Sequence, residues 1–179
     1  MTDVATSSDA PSTEPELVHG APVSYSRGEK VVHPSAANYV KVVKALYADG
    51  FRMAVDLTAV DYLTNATRVL PAGVEPERFE VVVNLLSHAR RERIRVRVQL
   101  PADAPTIASL YGVYPGTEAM EREAFDLLGI WFDAHPDLTR ILLPDDWQGH
   151  PLRKDEATGR IPVQFTHNVT PRSTSARTP

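Results

Sequence analysis

FEVVVNLLSHARRERIRVRVQL, residues 79–100, is the stretch whose reading decides the fold. Phe79, Val81, Val83 and Leu85 recur at every second position, and so do Ile94, Val96, Val98 and Leu100. Side chains alternate between the two faces of a strand, so each set lines one face. The segment 87–92 between them is short and polar and suits a hairpin turn. Val82 and Leu86 place apolar groups on the second face of the first strand, as expected of an inner strand. On the second strand that face is Arg93, Arg95, Arg97 and Gln99. A hairpin of this length points to an α+β fold with a largely antiparallel sheet.

Upstream, Ser35 is placed to cap a helix over 36–48, with Tyr39, Val43 and Leu46 on one side and Gly50 as its stop. Phe51, Met53, Val55 and Leu57 then alternate with Arg52, Ala54, Asp56 and Thr58, which predicts a strand. The stretch 61–77 contains Pro71, Gly73 and Pro76 and reads as a long loop. Downstream, Pro101 and Pro105 end the sheet, a short helix is expected around 106–112, and a longer one is expected from Glu118 to Leu128, capped by Thr117 and stopped by Gly129. The order α-β-β-β-α-α predicts a small sheet with helices on one face. The expected organisation is a disordered tail over 1–20, an α+β domain over 21–130, an extended interaction arm over 131–165 and a disordered tail over 166–179.

At about 100° per residue, Met120, Ala124, Leu127 and Leu128 share one arc of the later helix, its core face. Glu118, Arg122 and Asp126 lie opposite. They read as a solvated face in which Arg122 pairs with both acids, or else as a surface for a partner. Glu121 falls inside the apolar arc. A carboxylate there requires hydrogen bonds or a cation, so Glu121 is expected to be partly buried and to pin the arm to the helix through Arg140 or Arg153.

Net charge is −4 over 179 residues, which gives no general attraction to nucleic acid or anionic lipid. No apolar run approaches the ~18 residues of a membrane span. The N-terminal residues lack the apolar run of a secretory signal and the arginines of a transit peptide, so the bacterial cytoplasm is the expected compartment. There is no cysteine, hence no disulfide, thiolate zinc site or thiolate-bound iron–sulfur cluster within the chain. His135 and His150 each precede a proline, no HExxH occurs, and no metal site is expected. With no GxSxG, GxGxxG or GxxxxGKS/T, neither a catalytic nucleophile nor a phosphate cradle is expected. Arg90, Arg91, Arg93, Arg95 and Arg97 read as a solvated strand face, as a docking surface for acidic partner subunits, or as a nucleic-acid track. The lack of interleaved aromatics weighs against the last.

The block 121–155, EREAFDLLGIWFDAHPDLTRILLPDDWQGHPLRKD, loses all periodicity after its helix. Trp131, Phe132, Leu138, Ile141 and Leu142 are interleaved with Pro136, Pro144 and Pro151, so its apolar groups need a surface made elsewhere. The pattern Glu121-Arg122-Glu123, Asp126, Gly129-Ile130, Phe132, HPDL at 135–138, RIL at 140–142, Asp146, GHP at 149–151 and Arg153-Lys154-Asp155 resembles a family of respiratory complex I. This is the subunit designated C in the bacterial proton-pumping NADH:quinone oxidoreductase. VDLTAVDY at 55–62 and FEVVVNLLS at 79–87 are also similar, and the resemblance spans about 36–163. The chain departs from the family pattern at Ala119-Met120, where an aromatic is usual, and it leaves little room for an early strand and helix before the first helix.

The resemblance implies a non-redox subunit of the peripheral arm on the cytoplasmic face of the bacterial membrane. It would brace the quinone-site and cluster-bearing subunits, with no catalytic residue, metal or cofactor of its own. FMN and iron–sulfur clusters would sit in partner subunits, and quinone would be the acceptor. Glu121, Arg122, Glu123, Asp126, His135, Arg140, Asp146, His150, Arg153, Lys154 and Asp155 would serve assembly. Charge reversal at Arg153 or Asp155 would then impair assembly more than the isolated domain. The alternative reading is an arginine-faced RNA-binding module.

Overall fold

The computed structural model describes residues 16–65 and 67–156. It contains a six-stranded sheet with two helices on one face. Strands β1 (Leu17–Val18), β2 (Ala21–Ser26) and β3 (Glu29–Val32) form a meander, and helix α1 (Tyr39–Ala48) crosses the sheet. Strands β4 (Met53–Asp61), β5 (Phe79–Ser87) and β6 (Glu92–Leu100) form a second meander, giving the order β1-β2-β3-β6-β5-β4. All neighbours are antiparallel except β3 and β6, which pair in parallel. Two short strands, β7 (Thr106–Ala108) and β8 (Trp131–Asp133), pair in parallel on either side of helix α2 (Glu118–Leu128). The α+β class and the helices on one face agree with the sequence reading.

The hairpin at 79–100 forms with the expected bounds, and Phe79, Val81, Val83, Leu85, Val96, Val98 and Leu100 are fully buried. Tyr39, Val42, Val43 and Leu46 of α1 pack on that face together with Ala124 and Leu128 of α2. Burying such side chains contributes about 1.5–3 kcal/mol each. The chain turns into α1 through a single 3-10 turn over Ala36–Asn38, and Ser35 makes no side-chain cap bond there.

Four expectations change. The meander β1–β3 occupies the region expected to lack room for an early strand, and Leu17–Val18 lies inside the expected tail. Its two hairpin turns, His19-Gly20 and Arg27-Gly28, place both residues at positive φ, as primed two-residue turns require. In β4 a bulge at Val55 shifts the register, so Ala54 opposes Leu85 and Leu57 opposes Val83. Met53 and Val55 thereby leave the core face and are each 45% exposed. The segment expected as a helix around 106–112 is β7 followed by a turn. Ile107 is buried, and the segment is held as a strand by Phe132 of β8, remote in sequence.

The second face of the sheet is only in part a solvated arginine surface: Arg90, Arg91 and Arg93 are exposed, whereas Arg95 and Arg97 are not. Glu80 is fully buried there, with Arg97 Nε donating to it at 2.6 Å and Gln99 Nε2 also bonded. Arg95 donates to Asn84 and Glu29, each at 3.0 Å. These two guanidiniums are engaged with their own chain, which leaves the nucleic-acid reading without its central residues.

Candidate functional site

The segment after β8 lies along α2 as a strap, and the helix is what gives it a surface. A helix leaves its last four carbonyls without intrahelical partners. Here Gly129, left-handed at φ 71°, donates its N–H to Phe125 O at 2.8 Å. The strap supplies the other three caps. His150 Nδ1–H donates to Asp126 O at 2.9 Å, Leu152 N–H to Leu127 O at 3.0 Å, and Arg153 Nε–H to Leu128 O at 2.7 Å. Arg140 and Arg153 also bring positive charge to the negative end of the helix dipole. The GHP-x-R pattern is thus a helix cap supplied from a distance.

Asp126 is the centre of the strap. It is fully buried rather than solvated, because residues 139–143 cover it. Arg140 Nη1 donates to Oδ1 at 2.6 Å, while the N–H groups of Ile141, Leu142 and Leu143 converge on Oδ2 at 3.1, 2.8 and 2.9 Å. Burial by itself would raise this carboxyl. The three backbone donors and Arg140 outweigh it and hold the pKa at about 2. Arg140 Nη2 also donates to Trp147 O and Gly149 O, tying the strap to itself. Arg122, expected to pair along the helix, instead donates to Thr139 O, Thr139 Oγ1 and Arg140 O. The solvated-face reading fails here because a helical wheel cannot see what a distant segment lays over it.

Glu121 is fully buried, but it does not hold the strap. Ser109 Oγ donates to it at 2.5 Å, Leu110 N–H at 2.8 Å and Thr117 Oγ1 at 3.0 Å. It therefore ties α2 to the turn after β7. Burial raises its pKa, opposed by those three bonds. Thr117 commits its hydroxyl to Glu121 and Tyr114 O and makes no cap bond. His135 closes the entry to the strap: Nε2–H donates to Glu118 O at 3.1 Å and Nδ1 accepts from Asp137 N–H at 3.1 Å.

At the far end, Asp61 of β4 is buried and accepts from Arg78 at 3.1 and 2.9 Å and from Lys154 N–H at 2.9 Å. Burial pushes this carboxyl up, yet the Arg78 and backbone bonds bring it to about 2. Arg78 reaches on to Asp155 at 2.7 Å, and Arg78 and Arg153 both lie over the Phe79 ring. Sequence reasoning missed Asp61 and Arg78. Asp61 lies in the segment 55–62 that carried part of the resemblance, and this was the only signal for it.

The sequence-predicted residues therefore divide. Arg122, Asp126, His135, Arg140, His150 and Arg153 form the strap and its fastenings, and Glu121 stands behind them in the core. Glu123, Asp146 and Lys154 are exposed, and Asp155 is half-exposed beside Arg78. The strap also leaves apolar groups in solvent, with Leu142 61% and Ile141 40% exposed. The nine residues 157–165, the end of the expected arm, lie outside the described residues. Among the described residues no group of three or more His, Cys, Asp or Glu is placed to hold a metal ion, and no helix is long and apolar enough to cross a membrane.

A mixed sheet with two helices on one face and a proline-rich strap capping the second helix defines a small class of α+β domains, and comparison with known proteins specifies it. Residues 32–161 match the family described as respiratory-chain NADH dehydrogenase, 30 kDa subunit, and the chain belongs to this family. It is 40% identical over 147 residues to the C-designated subunit of the NADH-quinone oxidoreductase of Saccharopolyspora erythraea, covering 80% of this chain and 55% of that protein. With the corresponding subunit of Roseiflexus sp. it shares 43% over 145 residues, covering 79% and 78%. It thus spans about half the length of the first relative and most of the second. Among solved structures, the trypsin-resistant fragment of Nqo5 superposes with a TM-score of 0.59 at 31% identity, covering 67% of this chain and 91% of that one. A chain of the archaeal membrane-bound sulfane sulfur reductase gives a TM-score of 0.64 at 21% identity, covering 77% and 78%, and shares the fold.

Proposed function

We propose that this chain is a non-redox subunit of an NADH:quinone oxidoreductase. It braces the quinone-site and cluster-bearing subunits while electrons pass from NADH through FMN and iron–sulfur clusters to quinone. The match to the 30 kDa subunit family across 32–161 carries this reading, because it covers β4–β6, both helices and the strap. The absence of cysteine fits a subunit that does not itself ligate clusters. The fastened strap fits bracing. Its own bonds fix its shape before any partner arrives, so Ile141, Leu142, Asp146 and Lys154 are presented at low ordering cost beside Glu123 of α2. In this reading the chain lies on the cytoplasmic face of the membrane and is held there by its partners.

The test is affinity purification of the full-length tagged chain from detergent-solubilised membranes. Recovery together with cysteine-rich subunits and rotenone- or piericidin-sensitive NADH:quinone activity is the expected result. Elution of the chain alone, with the activity left in the unbound fraction, would sink the proposal.

A further inference from the structure

Beyond the strap, a broad concavity lies at the opposite end of the sheet. It has a volume of about 940 Å³ and opens between the β2–β3 turn, the end of α1 and the β5–β6 turn. Its lining joins Leu46, Phe51 and Ile94, buried members of the core, to a rim rich in arginine. The acids around that rim are already engaged. Glu16 holds Lys30, Glu92 pairs with Arg90, Glu29 with Arg95 and Asp49 with His19. Arg91 and Arg93 are exposed on the rim and have no ion pair among the described residues. Two uncompensated positive charges therefore stand over an apolar floor in a chain whose net charge is −4.

The backbone adds a second feature. β3 pairs with β6 only from the Lys30–Ile94 register onward. On β5's side β6 is already paired from Glu92. β3 begins at Glu29, so the edge of β6 at Glu92 lies past its end and has no ladder partner on that side, among the described residues, at the floor of the concavity. An unpaired strand edge is a template for an extended chain, with main-chain bonds giving affinity and flanking pockets giving specificity.

We propose that this groove receives an extended segment of another subunit that carries acidic side chains spaced by apolar ones. Its backbone adds to β6 at Glu92, past the end of β3, its carboxylates meet Arg91 and Arg93, and its apolar groups cover Phe51 and Ile94. Charge complementarity selects the occupant: the uncompensated charge at the rim is positive, and the floor is apolar. The inference rests on the chain being an assembled subunit, as proposed above, and its site is separate from the strap.

A photo-crosslinking residue at His88 in the full-length chain, expressed in cells and purified with the complex, reads the occupant directly. The expected product is a crosslink to an acidic segment of one other subunit. Arg91→Glu with Arg93→Glu should cut that crosslink and the co-purified subunit by about tenfold, as expected for reversing two rim charges. Charge reversal of two acids in the crosslinked segment should restore both. Crosslinking to residues 1–15 of the same chain, to lipid, or to no other molecule in the intact complex would overturn the inference. So would a crosslink unaffected by the double reversal, or one that charge reversal in the segment does not restore. If the chain is absent from the complex altogether, the proposed function fails first, and the inference falls with it.

Discussion

Helix α2 buries two carboxylates, Glu121 and Asp126, in opposite chemical circumstances. Glu121 receives three donors and no guanidinium, whereas Asp126 receives Arg140 and three backbone N–H groups. Glu121→Gln keeps an acceptor for Leu110 and Thr117 and turns its amide toward the Ser109 hydroxyl. It should lie within about 1 kcal/mol of the parent in urea unfolding at pH 7, while Glu121→Ala strands a buried N–H and should cost about 3 kcal/mol. Asp126→Asn is isosteric too, but it leaves the largely covered Arg140 without its counter-charge and, in either amide orientation, sets an NH₂ against a donor, Arg140 or the converging N–H groups. It should cost about 3–5 kcal/mol. Equal losses for the two amide variants would contradict these assignments. The burial of Glu121 was legible in the sequence because it interrupts an apolar arc. That of Asp126 was not, because its cover comes from 139–143, more than three turns of sequence away.

Elements were legible where periodicity is local and hidden where pairing is remote. The β5–β6 hairpin and the bounds of α2 follow from alternation, helical spacing and Gly129. β7 has three residues and exists as a strand because β8 pairs with it across α2. The bulge at Val55 inverts the alternation of β4 without altering its composition. The β1–β3 turns carry a local signal in His19-Gly20 and Arg27-Gly28, which the polar composition around them obscures. The joint between α2 and its strap can be tested at Gly129. A Cβ there would stand 2.6 Å from Arg153 Nη2 and from His150 Nε2, on backbone already left-handed. Gly129→Ala should cost about 2 kcal/mol, of which about 1–2 is the left-handed conformation itself. It should also speed hydrogen exchange at the amides of 141–143 and 152 while those of β5 remain protected. Unchanged exchange in the strap would show that the two caps are not displaced.

At the scale of the whole molecule, pH separates the strap from the sheet. Asp126, at the centre of the strap, and Asp61, at its far end, have carboxyls lowered from 3.8 to about 2. A depressed carboxyl stabilises the fold above its unfolded value, and that contribution is lost as pH falls through the folded value, about 2 kcal/mol for each group. Glu121 has the opposite sign: its raised pKa favours the fold when protonated, so acid strengthens the core side of α2. His33, buried beside β2 and repelled by Arg97, is lowered from 6.5 to about 4. The unfolded chain therefore takes up this proton first, and stability declines from pH 6.5 toward 4. Two windows are expected. Between pH 6.5 and 4 the urea midpoint falls gradually, and His33→Asn flattens that slope. Between pH 4 and 2 the strap amides of 141–143 and 154 exchange before those of β5 and β6, because both carboxylates that accept from these amides are being neutralised while the β5–β6 ladder stays bonded strand to strand. Simultaneous loss of protection in strap and sheet below pH 4 would mean that the strap and the core unfold as one unit, and the two-window account would be wrong.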